Sequence, residues 1–223
     1  EATSDLVCAY KPNLAFYEAM GEEGFSTLKK TVECIPAGVV SIGDAKRGDI
    51  GHSAQAYATA LFTAFGFDAV TVNPYLGYDS VAPFLEHKDK GVFLLCRTSN
   101  PGARDFQDLI TSEGQALYLA VAEKAREWNR WGNLGLVVGA TYPQELQRVR
   151  QLCPDMPLLI PGIGPQGGDL ERAVRFGVDA HGEKALIVAS RQIIYASRGQ
   201  DFPQAARQAA LKLRDEINRH RRS

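Results

Sequence analysis

An α/β fold is predicted, a (β/α)8 TIM barrel whose first strand is missing from this chain, and three observations predict it. Apolar runs of strand length alternate with longer stretches of helical period, the signature of repeated βα units around a parallel sheet. The 223 residues, 45% of them hydrophobic, suffice for one sizeable core, and barrels of roughly 200–250 residues commonly form a single domain. Seven strands are counted, one fewer than closure requires, and the chain opens at Glu1 already about to enter a strand, so an upstream strand is expected. Residues 1–223 are accordingly read as a single β/α barrel domain. The competing open, doubly wound sheet is weakened because no Gly-x-Gly-x-x-Gly follows the first strand.

The first strand is expected over residues 6–11, where Val7, Ala9 and Lys11 alternate and place Lys11 at the strand mouth beside Pro12 and Asn13. The second, 39–46, ends in Asp44-x-Lys46-x-x-Asp49. Alternation puts Val40, Ile42, Asp44 and Lys46 on one face, apolar at its start and ionic at its end. Strands follow at 69–75, 92–98, 134–140, 158–163 and 185–190. Helical periodicity covers 53–65, 115–128, 145–152 and 170–176, with 204–219 closing the chain. No linker, repeat or low-complexity segment interrupts this order.

A net charge of −1 argues against a nucleic-acid surface, and the basic run Arg219-His220-Arg221-Arg222 is read as a frayed terminus. No apolar segment reaches the ~18 residues of a membrane span and no signal sequence opens the chain, so a cytoplasmic protein is expected. Cys8, Cys34, Cys96 and Cys153 lack the paired spacing of a zinc site. Cys8 and Cys96 fall in apolar strand runs and are expected to be buried free thiols. The four histidines show no metal-binding spacing, and no metal is expected.

Chemistry-bearing residues collect at the strand ends, where a β/α barrel keeps its active site. An ionic strand end is often only a solvated cluster, each exposed pair contributing ~0–1 kcal/mol. Neighbouring strands are ~4.8 Å apart, however, so Lys11 is within reach of Asp44. A row Lys11-Asp44-Lys46-Asp49 would then alternate in charge, and charges ~4 Å apart interact by ~4 kcal/mol at an effective dielectric of 20. After the fourth strand, Thr98-Ser99-Asn100-Pro101-Gly102 is a good turn sequence; functionally, Ser99 offers a hydroxyl and an N–H to a planar polar ligand. The sixth strand runs into the glycine-rich stretch from Pro161 to Asp169, containing Gly164, Gln166 and Gly167, and the seventh into Ser190-Arg191. Backbone N–H groups and a guanidinium in these last two loops form a candidate phosphate cradle.

Taken together, Lys11-Pro12-Asn13-Leu14-Ala15-Phe16-Tyr17-Glu18, Asp44-Ala45-Lys46-Arg47-Gly48-Asp49-Ile50, the Ser99 turn, the glycine-rich loop and Ser190-Arg191 resemble the orotidine 5′-monophosphate decarboxylase family, in its bacterial branch. The resemblance covers nearly the whole chain in order. It implies cofactor-free decarboxylation of orotidine 5′-monophosphate to uridine 5′-monophosphate. On that resemblance Lys46 protonates C6 of the pyrimidine, Asp44 lies against the departing carboxylate, and Lys11 holds Asp44 and the ribose hydroxyls. Asp49 would come from the other subunit of a homodimer, with Ile50 and Ser53 near the ribose. Ser99, beside Asn100, would meet the pyrimidine edge, and Gly164, Gln166, Gly167 and Arg191 the base carbonyl and phosphate. Family members begin with a strand ending in Gly-Leu-Asp-Pro, which this chain lacks. Two alternatives remain: a metal-dependent keto-sugar-phosphate enzyme of the same superfamily, and a barrel that binds a nucleotide phosphate without chemistry.

Overall fold

The computed structural model describes residues 1–164 and 167–221. Its chain divides into two compact units, one of residues 7–95 and 128–134, the other of residues 1–6, 96–127 and 135–223. Among the described residues, seven parallel strands alternate with helices along the chain.

In the first unit, β1 (Ala9–Tyr10), β2 (Val40–Arg47), β3 (Ala69–Val72) and most of β4 (Gly91–Arg97) pair in parallel in chain order. Helices α1 (Leu14–Glu18) and α2 (Gly21–Glu33) follow β1. The Asn13 side chain caps α1 by accepting from the Ala15 N–H, and α2 places Glu22 and Glu23 in its first turn and Lys30 in its last, each complementing the helix dipole. After β2 comes α3 (Gly51–Thr59), which runs on as a π-helical turn (Ala60–Ala64), and after β3 comes α4 (Tyr78–Leu85). β3 is buried along its whole length, and Phe67, Val70, Phe84 and Leu94 are fully buried in the core. Burying a side chain such as Phe67 stabilises by ~1.5–3 kcal/mol. Its ring lies so close to Gly43 that a Cβ there would sit 2.9–3.1 Å from the ring atoms, which ties a glycine to the position just before Asp44.

The second unit holds α5 (Leu117–Trp128) except its last residue, β5 (Leu134–Val138) from its second, α6 (Pro143–Leu152), β6 (Leu158–Ile160), α7 (Leu170–Gly177), β7 (Ala185–Ile187), α8 (Arg191–Ile194) and α9 (Phe202–His220). β5, β6 and β7 are parallel, with Leu136 opposite Leu158 and Leu159 opposite Leu186. At the N-terminal ends of β6 and β7, Arg150 is nearly buried and donates to the carbonyls of Cys153, Pro154, Met156, Gly177 and Lys184. It thereby ties the end of α6, the end of α7 and the entry to β7 to one planar cation.

All seven expected strands occur: β2 is displaced one residue toward the C-terminus and β4 one toward the N-terminus, and the other five are shorter than expected. Residues 6–11 contract most, to Ala9–Tyr10, because residues 2–6 turn back on themselves and Pro12 has no N–H to continue the ladder. Pairing resumes beyond the proline, where the Asp44 N–H bonds to the Pro12 carbonyl and Asn13 bridges Asp44. Cys96 and Cys153 are buried, but Cys8 is exposed, contrary to expectation, since it precedes β1 and no strand face covers it. The expected fraying from Arg219 is also corrected: α9 continues to His220, and the Arg221 N–H closes on the Ile217 carbonyl. Arg222 lies outside the described residues. Among those described, no helix is long and apolar enough to cross a membrane.

Candidate active site

Asp44 is the hub of a charged cluster in the first unit. Its side chain is 9% exposed and sits between Lys11, 17% exposed, and Lys46, 47% exposed. Lys11 Nζ donates to Oδ2, and Lys46 Nζ to Oδ1 at 2.5 Å. A third donor, the Thr71 hydroxyl, reaches Oδ1 at 3.1 Å. Burial opposes ionisation of this carboxyl, but Lys11 and then Lys46 outweigh it by charge and hydrogen bonding and hold the pKa below the ordinary aspartate value. The result is a fixed carboxylate flanked by two ammonium groups.

Strict alternation does not produce this geometry. Gly43 pairs with Val70 and Arg47 with Val72, so Asp44, Ala45 and Lys46 on β2 face only Thr71 on β3. Such a bulge bends the strand and re-aims its side chains. Lys46 takes a left-handed backbone, with φ of 49°, at a cost of ~1–2 kcal/mol for a residue with a Cβ. Val40, expected on the same face as Ile42, is exposed while Ser41, Ile42 and Gly43 are buried. Beyond the bulge, Arg47 pairs with Glu18 of α1 and lies over the Tyr57 ring of α3 at 5.1 Å, anchoring the strand end on both sides.

The other expected residues of this unit follow directly. Asp49 accepts from the Ile50 N–H at 2.8 Å and forms no ion pair among the described residues. It does not join the row within its own chain. Ile50 is the exposed N-cap residue of α3, and Ser53 is exposed in that helix's first turn.

In the second unit, Ser99 and Asn100 lie in the loop after β4, whose last residue is the fully buried Arg97. Its guanidinium reaches Gln107 at 3.3 Å, pairs with Asp108 at 3.1 Å and stacks on Tyr142 with its carbon 3.8 Å from the ring centroid. Thr141 Oγ1 donates to the Ser99 carbonyl, and Gly139 lets Ser99 approach so closely that a Cβ there would fall 2.7–2.8 Å from Ser99 atoms. Arg191 is exposed at the start of α8. Its neighbour Gln192 lies against Gly164, where a Cβ would come 2.8 Å from the amide oxygen, so the loops after β6 and β7 adjoin. Gly162, Gly164 and Gly167 all have positive φ. The cradle is corrected in one respect: the Gly167 and Gly168 N–H groups bond to the Gly164 and Gly162 carbonyls, and are committed to folding the loop. Gln166 lies outside the described residues.

Sequence reasoning missed Thr71, Arg47 and Arg97 as parts of these arrangements. Thr71 reads as an ordinary β-branched strand residue, and the arginines as strand ends; only the pairing register shows what they touch.

Comparison with known proteins is consistent with this arrangement over almost the whole chain. Residues 1–208 match the model of the "Orotidine 5'-phosphate decarboxylase / HUMPS family". Orotidine 5'-phosphate decarboxylase of Dehalococcoides mccartyi is 54% identical over 99% of this chain and 83% of its own length. That of a Roseiflexus species is 56% identical over 98% of this chain and 80% of its own. Among solved structures, Leishmania donovani OMP decarboxylase superposes with a TM-score of 0.91 at 43% identity, covering 100% of this chain and 84% of that one. Leishmania donovani UMP synthase gives 0.92 at 46% identity, this chain covering 99% of itself and spanning 48% of that longer one. With the Asp-Ala-Lys-Arg-Gly-Asp-Ile segment intact at the end of β2 and identities above 50% across the chain, the protein belongs to the orotidine 5'-phosphate decarboxylase family.

Proposed function

We propose that this chain decarboxylates orotidine 5′-monophosphate to uridine 5′-monophosphate and carbon dioxide without a cofactor, as a step of pyrimidine biosynthesis. One observation carries the chemistry: the ionised Asp44 held between Lys11 and Lys46 at the end of β2. Loss of carbon dioxide breaks the bond from C6 to the carboxylate carbon and leaves the electron pair on C6. Lys46 supplies a proton to that carbon and is recharged from solvent, while Lys11 keeps Asp44 ionised. Preplaced charges favour the transition state because they need little reorganisation as charge develops. Repulsion between Asp44 and the substrate carboxylate adds to this as the substrate settles.

In this reading Ser99 and Asn100 meet the pyrimidine edge, Gln166 a base carbonyl, and Gly164 and Arg191 the phosphate, with Gly167 shaping the loop that presents them. The phosphate, remote from C6, contributes binding energy that holds the ring in place. Asp49 serves the site of a second copy in a homodimer, with Ile50 and Ser53 near that copy's ribose. Its lack of an ion pair among the described residues of its own chain supports this, as do the exposed Ile50, Tyr75 and Leu76 nearby. In the same reading residues 1–223 form one β/α barrel domain of a cytoplasmic enzyme.

The test is the absorbance change of orotidine 5′-monophosphate with the purified protein, with and without a chelator. Turnover that survives chelation is expected. Absence of turnover overturns the assignment, turnover lost on chelation and restored by a divalent metal overturns its cofactor-free character, and metal-dependent turnover of a keto-sugar phosphate in place of the nucleotide favours the keto-sugar-phosphate class.

A further inference from the structure

Thr71 lies in the middle of β3, 1% exposed, and is the single residue facing the three-residue bulge of β2. A bulge takes backbone groups out of the ladder, and buried N–H groups need another acceptor. Here the Lys46 N–H finds it in Thr71 Oγ1 at 2.9 Å. The same hydroxyl reaches Asp44 Oδ1 at 3.1 Å. An ionised carboxylate can only accept, so the polarity is fixed: Thr71 accepts from the backbone of Lys46 and donates to the side chain of Asp44. One oxygen therefore couples the two residues whose relative placement the chemistry needs, and both of its bonds are engaged without touching a ligand.

We propose that Thr71 is a positioning residue for the decarboxylation: its hydroxyl holds the left-handed backbone of Lys46 and the carboxylate of Asp44 in one register, so that the Lys46 ammonium stands where the proton is delivered. The inference rests on the activity proposed above. A valine fills the same space and suits a buried strand, but leaves the Lys46 N–H without its acceptor and Asp44 without one donor. The ammonium is then freer to leave its place, and a displacement of ~1 Å is enough to cost ~100-fold in rate.

The experiment compares Thr71→Val with Thr71→Ser, measuring kcat and KM for orotidine 5′-monophosphate, the Kd of uridine 5′-monophosphate by calorimetry, and the melting temperature. Thr71→Val is expected to lower kcat by about 10- to 100-fold per folded molecule, with KM and the nucleotide Kd within about threefold of wild type. Thr71→Ser, which keeps the hydroxyl, is expected to recover most of that loss. If the valine variant does not fold, Thr71→Ala takes its place in the comparison. A near-normal kcat without the hydroxyl, an equal loss in Thr71→Ser, or a loss confined to KM overturns the inference. An inactive wild type overturns the proposed function and this inference together, whereas an active wild type with unimpaired Thr71→Val overturns the inference alone.

Discussion

Arg150→Met removes a buried guanidinium while keeping an apolar stem of similar length. In the native chain that group makes six hydrogen bonds, 2.6–3.1 Å long, to five backbone carbonyls around the entries to β6 and β7. Bonds to a charged donor are worth ~1.5–3 kcal/mol each, but the variant also no longer has to desolvate a cation, which returns several kcal/mol. Each carbonyl left buried without a donor costs ~1–3 kcal/mol, and five such losses set against the desolvation returned leave an expected net loss of ~3–5 kcal/mol. For a chain of this size 1 kcal/mol shifts Tm by ~2–4 °C, so Tm should fall by about 6–20 °C. Arg150 lies at the end of the strands away from the loops that carry Gly164 and Arg191, the end of a barrel that serves stability and not chemistry. Surviving folded enzyme should therefore keep KM and kcat within about twofold. Calorimetric melting with steady-state kinetics below the transition tests both parts. A Tm drop under ~2 °C, or a large rise in KM in folded protein, would refute the assignment of Arg150 as a structural clamp.

Four further outcomes are expected. Lys46→Ala should lose at least ~100-fold in kcat, the scale of a positioned proton donor, while calorimetry still detects uridine 5′-monophosphate binding; near-normal turnover would eliminate Lys46 as the acid. Arg191→Ala should weaken uridine 5′-monophosphate far more than uridine, and equal weakening would show that the guanidinium does not meet the phosphate. Mixing inactive Lys46→Ala and Asp49→Ala subunits should restore some activity through hybrid dimers, and none from demonstrated hybrids would count against a shared site. Because the pKa of Asp44 is depressed, its contribution to stability is present above the ordinary aspartate value of 3.8 and is lost as pH falls through that value toward the lower folded one. Urea midpoints should thus fall less in Asp44→Asn than in wild type between pH 5 and pH 3, and parallel losses would contradict the coupling.

Much of the site was legible because its residues are chemically out of place in their elements. An apolar run ending in Asp44 and Lys46 announces itself, as does Lys11 at a strand mouth, and the structure brings all three together. What periodicity could not show is register: a bulge that sets three residues of β2 against Thr71 leaves no mark in a two-residue alternation, and it is the bulge that turns Lys46. Periodicity does not mark α2 and α4 for related reasons. Gly21 and Gly24 weaken the helical signal of the first, and Pro83 sits inside the second, yet burial of Leu28 and of Val81 and Phe84 holds both. Cys8 stands exposed because tertiary structure uses as a turn the residues just before it, across which the apolar run reads as strand.

The two surplus residues of β2 set durability and reactivity against each other at one spot. A chain with Ala45 and Lys46 excised could zip against β3 without interruption and shed an unfavourable dihedral angle, so heat alone would rank it above its parent. Selecting library members purely by resistance to melting would then enrich inert shells, and any campaign to toughen this scaffold has to screen for product in every round.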